Sequence, residues 1–269
     1  MRTIGLMSGT SLDGVDGILC QWQDNTDQGT GLSQFAMPSV LAFVHQDFDP
    51  QLRNELFALQ TSGINELERA ALAANGVAMA YARVSQALLK QAGLQPSDIR
   101  ATGAHGQTVR HKPPTSPQDP VENAYTIQLL NAALLSEQTQ IATVHDLRSR
   151  DIAAGGQGAP LVPALHASLF AKENCTQIVC NIGGIANISI LHADGSVTGF
   201  DTGPGNCLMD YWATQHLGCA FDKDGKFAAS GFIYQPLKAK MLQDPYFTRG
   251  IPKSTGRDLF NPEWLSALI

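Results

Sequence analysis

"IGLMSGTSLDGVDGILC", residues 4–20, is an apolar run, a break of small and polar residues, and a second apolar run. The pattern predicts two strands, over 3–9 and 15–22, joined by the turn "SGTSLDG" at 8–14. "SVLAFVHQ" (39–46) adds a third strand, so the chain opens with a hairpin-connected β-β-β unit. Helices follow over 49–60 and 64–93. In the second, Leu67, Val77, Val84 and Leu88 recur near the helical period, and Gly93 is a stop signal.

The pattern then alternates. Residues 99–105 and 124–130 read as strands, 131–138 as a helix and 140–146 as a strand. Residues 159–171 read as a helix with Pro160 at its start. The tally is β-β-β-α-β-α-β-α. At residue 176 it starts again, with strands in "TQIVCNIGG", "IANISIL" and "SVTGFD" and a helix in "PGNCLMDYWATQHLG". Two α/β units are expected, over 1–175 and 176–269, the second incomplete.

Composition narrows the function. A formal net charge of -6 and a pI near 5.6 argue against nucleic acid or an anionic membrane as the main partner. Cys20, Cys175, Cys180, Cys207 and Cys219 are odd in number and include no CxxC, which fits reduced thiols in a cytoplasmic protein. The apolar residues after Arg2 are too few for a signal peptide, and no run approaches a membrane span.

Glycines cluster in four loops: "SGTSLDG" (8–14), "AAGGQGAP" (153–160), "NIGGIAN" (181–187) and "FDTGPGN" (200–206). Any one could be a plain tight turn. None matches a P-loop or a dinucleotide fingerprint. Yet two are hairpin turns that open β-β-β units, and two precede predicted helices, where backbone N–H groups and the helix dipole favour anions. A hairpin turn from each repeated half can hold a polyphosphate from both sides. Asp13 and Asp16 accompany the first loop, and Asp151 reads as a helix or turn cap. Asp201 ends a strand before two glycines, where it can point into a cleft. "HGQTVRH" (105–111) reads as a polar loop able to bind hydroxyl groups, with His105 its best candidate. "PKSTGR" (252–257) is either a phosphate contact or a solvated turn. No H-E-x-x-H occurs, so zinc is not expected.

"GLMSGTSLDGVD", "HGQTVRH", "RDIAAGGQGAPLVP", "NIGGIANI", "GFDTGPGN" and "PKSTGR" stand in the order found in anhydro-N-acetylmuramic acid kinases, and the chain resembles that family from end to end. The resemblance implies the actin/hexokinase/Hsp70-like ATPase fold, two ribonuclease-H-like lobes with ATP and Mg²⁺ between them. It implies ATP binding by Gly9, Thr10, Ser11, Leu12, Asp13, Gly14, Val15 and Asp16, with Gly183 and Gly184 opposite and Asp13 near the metal. It makes Asp201 the catalytic base and places His105, Gln107, Thr108 and Arg148 at the sugar. The substrate implied is 1,6-anhydro-N-acetylmuramic acid from cell-wall turnover, and a homodimer is compatible with it. Two departures stand out: "QLLNAA" at 128–133 lacks the family's Gly-Asp-Pro turn, and "DLR" at 146–148 replaces DFR.

An ordinary sugar kinase and a catalytically silent ATP-binding relative are the alternatives. The chain ends two turns into a predicted helix, "FNPEWLSALI", with Asn261 as N-cap and Pro262 at the first helical position. Family members are longer, so a truncated kinase is expected. It would lack part of the adenine pocket, bind ATP weakly and self-associate through an open sheet edge.

Overall fold

A computed structural model describes residues 1–23, 38–114 and 119–269. The first three strands are β1 (Arg2–Met7), β2 (Gly14–Gln21) and β3 (Ser39–Asp47), paired antiparallel. Helix α1 (Pro50–Ala58) starts at Asp49, whose side chain accepts the Gln51 N–H at 2.9 Å. Helix α2 (Glu66–Ala92) ends where Gly93 turns left-handed. Strand β4 (Ala101–Ala104) then pairs parallel with β1, and β7 (Thr143–Val144) with β4. The five-stranded order is β3-β2-β1-β4-β7, the expected β-β-β-α-β-α-β progression.

Helix α2 builds the core of this unit. Val77, Tyr81, Val84 and Leu88, spaced three or four residues apart, are fully buried. They lie over the sheet beside Ile4, Leu6, Val15 and Leu19. Leu67, expected on the same stripe, is exposed instead.

Residues 105–111 are not a loop throughout. Gly106, at φ +76°, redirects the chain after β4, and β5 (Gln107–Lys112) pairs antiparallel with β6 (Tyr125–Leu129). Gln107 and Val109 alternate inward, the period of a half-buried strand. Helices α3 (Ala132–Thr139), α4 (Leu147–Ala153) and α5 (Pro163–Phe170) follow. The α5 helix begins at Pro163, not at Pro160, and the strand expected over 140–146 shrinks to its middle.

The second sheet has order β10-β9-β8, from β8 (Gln177–Ile182), β9 (Ile185–Leu191) and β10 (Val197–Pro204). It repeats the β3-β2-β1 meander. Helix α5 packs on β9 and β10. On β8, Ile178 and Ile182 are exposed.

Helix α6 (Cys207–Leu217) leads into the short helices α7 (Lys226–Ala229), α8 (Gln235–Met241), α9 (Pro245–Thr248) and α10 (Pro262–Ser266). The α10 cap is as expected: Asn261 Oδ1 accepts the Trp264 N–H at 2.8 Å. So short a helix needs packing. Edge-to-face stacking of Phe260 on Trp264 and on Tyr246, at centroid distances of 5.1 and 5.4 Å, supplies it. Among the described residues no helix is long and apolar enough to cross a membrane.

Candidate active site

The two hairpin turns at 8–14 and 183–184 meet. A Cβ added at Gly184 would lie 2.5 Å from Thr10 Oγ1, so the turns touch through backbone and small side chains only. The fourth glycine loop is tied to the third. Asn206 N–H donates to Gly183 O at 2.8 Å and Gly205 N–H to Gly184 O at 2.9 Å. Three of the four loops thus form one backbone surface at the start of α6.

The loop at 153–160 behaves differently. Asp151 Oδ2 accepts the Gly158 N–H at 2.7 Å, and Arg148 Nη1 donates to Gly158 O at 2.6 Å. Its anion-binding groups are occupied by its own chain, and Asp151 is the turn cap that the sequence suggested.

Within the first turn, Asp13 is exposed and its carboxylate accepts from the Ser11 hydroxyl and the Gly14 N–H. Leu12 is buried with φ +57°. Gly9 O accepts from Gln107 Nε2 at 3.1 Å, which fastens the turn to β5. Gly14 and Val15 are buried at the start of β2, packed away from the turn surface. Asp16 points to the outer face, 2.8 Å from His45 Nδ1.

Asp201 lies within β10, not at its end, at a bulge between Asp201 and Gly203. It is 5% exposed. Burial pushes its carboxyl up to about 6, against the opposing pull of the Thr255 N–H at 3.0 Å and the Arg148 guanidinium. The "PKSTGR" segment is no solvated turn. Lys253 and Ser254 are buried against the site, and Lys253 O accepts the Asp201 N–H at 3.0 Å.

Arg148 is oriented by His105. Its Nε–H donates to His105 Nε2 at 2.7 Å, while His105 Nδ1 lies 2.6 Å from Gly106 O. The ring therefore carries its proton on Nδ1. Burial and the neighbouring Arg148 hold His105 neutral down to about 4. His111, lowered to about 4 by the same two causes, bridges Thr126 Oγ1 at 3.0 Å and Ser254 Oγ at 2.9 Å. Thr108 faces Gln128, whose Nε2 donates to it at 3.2 Å.

The structure thus brings Asp201, Arg148 and His105 together, and sets Gln107 between the first turn and β5. Sequence reading marked Asn187 and residues 253–255 only as parts of "NIGGIAN" and "PKSTGR" and did not pair them with Asp201: Asn187 is its cross-strand partner, and the Thr255 N–H donates to its Oδ2. The signal for Asn187 was a polar residue, one of two with Ser189, in a mostly apolar strand. Several buried polar atoms have no partner: Asn187 Oδ1, Asn206 Oδ1, Gln107 Oε1, Thr255 Oγ1 and Arg257 Nε. Unsatisfied groups of this kind are expected where a polar ligand completes the bonding. Among the described residues no group of three or more His, Cys, Asp or Glu side chains could hold a metal. A nucleotide-borne Mg²⁺ needs no such cage, since it binds through one or two carboxylates plus phosphates.

The family model for anhydro-N-acetylmuramic acid kinase matches residues 1–269. An anhydro-N-acetylmuramic acid kinase of Burkholderia thailandensis is 51% identical over 274 residues, covering 99% of this chain and 67% of that protein. One from Burkholderia cenocepacia is 52% identical over 266 residues, covering 98% of this chain and 65% of that protein. The chain therefore spans about two thirds of the length of these relatives. Among solved structures, a chain of a PilM–PilN type IV pilus biogenesis complex aligns at 13% identity with a TM-score of 0.44, over 99% of this chain and 84% of that one. That likeness is too distant to argue from.

Proposed function

This chain belongs to the anhydro-N-acetylmuramic acid kinase family, and we propose that its site carries out that chemistry: opening of 1,6-anhydro-N-acetylmuramic acid by water with phosphorylation of O6 by ATP. The products are N-acetylmuramic acid 6-phosphate and ADP. The reading places the protein in the cytoplasm, in cell-wall recycling and amino-sugar catabolism, as two lobes that meet at the glycine turns.

The observation that carries the proposal is Asp201. Its carboxyl, raised to about 6 by burial, is ionised at neutral pH yet basic enough to take a proton. It would take that proton from a water whose oxygen bonds to the anomeric carbon. The C1–O6 bond then breaks, and O6 bonds to the γ-phosphorus as the bond to ADP breaks. The charge developing on O6 passes to phosphorus, so no separate carboxylic acid is needed for the leaving oxygen. A bound Mg²⁺ would neutralise phosphate charge, with Asp13 as the nearest carboxylate of the turn.

The remaining residues bind and orient. Backbone at Gly9, Thr10, Ser11, Gly183 and Gly184 faces the phosphates. Leu12, Gly14 and Val15 hold the turn in shape from beneath, and Asp16 braces it from the outer face through His45. Arg148, held by His105, supplies a fixed cation to the sugar side. Gln107 and Thr108 line the adjoining strand.

The test incubates this chain with ATP, Mg²⁺ and the anhydro sugar and reads products by mass. N-acetylmuramic acid 6-phosphate with one solvent oxygen at C1 supports the reading. Phosphorylation only of sugars lacking the anhydro bridge makes the protein an ordinary sugar kinase. ATP binding without transfer to any sugar makes it a silent relative.

A further inference from the structure

Arg257 is half-buried and its Nε is inaccessible and unpaired. Arg257 lies in the field of three other charged side chains: Asp210 from α6, Arg53 from α1 and Asp13 from the first turn. They come from both halves of the chain. Among the described residues no ion pair joins any two of them. Arg53 is committed through Nε, which donates to Leu12 O at 2.9 Å and so fixes the first turn. Arg257 has no hydrogen bond from its side chain among the described residues.

A guanidinium nitrogen removed from water without a partner is costly. Arg53 adds repulsion to the field at Arg257, which Asp210 and Asp13 oppose. An anion with several acceptor oxygens removes both penalties, because arginine forks match phosphate geometry. The first turn, to which Arg53 is bonded, is built from glycine and small residues, whose backbone an anion can approach closely. We propose that Arg257 is a ligand for a phosphate oxyanion, the terminal phosphate of ATP, beside the first turn that Arg53 fixes. Asp13 and Asp210 then face the cation that accompanies the polyphosphate. This assignment rests on the ATP reading above and adds to it a residue that the glycine loops do not supply.

The experiment titrates the parent chain, Arg257→Ala and Arg257→Lys with ATP, AMP, tripolyphosphate and orthophosphate, by calorimetry and by ligand-induced shift in melting temperature. Loss of a charge-assisted phosphate contact should weaken ATP and tripolyphosphate by about tenfold or more in Arg257→Ala and leave AMP within about twofold. Arg257→Lys keeps the charge but not the fork, so it should fall between parent and Ala. It also carries the test if Arg257→Ala fails to fold. Unchanged ATP and tripolyphosphate binding in the variants, with a parent that binds both, overturns the Arg257 assignment and leaves the ATP reading standing. A parent that binds neither overturns both. Orthophosphate bound as tightly as tripolyphosphate identifies a free-phosphate site and overturns the terminal-phosphate assignment.

Discussion

Asp201 Oδ2 accepts the backbone N–H of Thr255 at 3.0 Å, across 54 residues of chain. The bond leaves the carboxylate's other oxygen without a protein hydrogen bond among the described residues. One oxygen is thereby anchored and one is free to meet a proton.

Replacing that carboxylate should remove proton transfer while sparing nucleotide binding. Asp201→Asn keeps an acceptor for the Thr255 N–H but cannot act as a base. Turnover should fall by ~10²–10⁴, with ATP affinity unchanged in a titration. Turnover within about tenfold of the parent would take Asp201 out of the base role.

The same substitution should stabilise the fold. A carboxyl raised from 3.8 to about 6 prefers the protonated form when folded. Its contribution is fully present below pH 3.8 and is lost as pH rises through 6, so at pH 7 the buried charge is a net cost. Relieving it should raise stability by roughly 2–3 kcal/mol at pH 7. Below pH 4 the gain should vanish. Melting curves of parent and variant at both pH values decide it, and a gain that persists at low pH has another cause.

Arg148 pulls the Asp201 carboxyl down, against burial. Removing the guanidinium in Arg148→Gln should shift the acid limb of the rate profile to higher pH, because the base now ionises later. A limb that stays near 6 in the variant would separate the two residues energetically. His105→Ala should shift it less, since the cation remains and only its Nε anchor is lost.

Gly9 and Gly17 separate binding from packing. A Cβ at Gly9 would meet nothing closer than Ser11 Oγ at 3.7 Å, so Gly9→Val has room within the protein and should spare the fold while blocking a ligand. At Gly17 a Cβ would overlap Val84 Cγ1 and lie 3.0 Å from Leu88 Cδ1. Gly17→Ala should cost ~1–3 kcal/mol of stability by overpacking. Unchanged ATP affinity in a folded Gly9→Val would reduce the 8–14 segment to a hairpin turn. An unchanged denaturation midpoint in Gly17→Ala would mean that α2 can withdraw from β2.

The sequence by itself determined the strands, turns and helices whose signals are local. The apolar runs of β1, β2 and β3, the Gly93 stop, the Asn261 cap and the glycine hairpins all depend on neighbours within a few residues. It also marked Asp201 and Asp151, each beside a glycine loop. Where a local signal was read too broadly, the structure corrected it: Gly106 sent 107–112 into a strand, Pro163 set the start of α5, and Leu67 stayed exposed. Only the tertiary structure decided that Lys253 and Ser254 are buried, that Thr255 holds Asp201, that His105 aims Arg148, and that Arg257 lies in the field of Arg53 and Asp13. These pairs are separated by tens to hundreds of residues. Burial, hydrogen bonding and the resulting pKa shifts arise only when folding removes water from both partners together, and no local pattern in the chain carries that information.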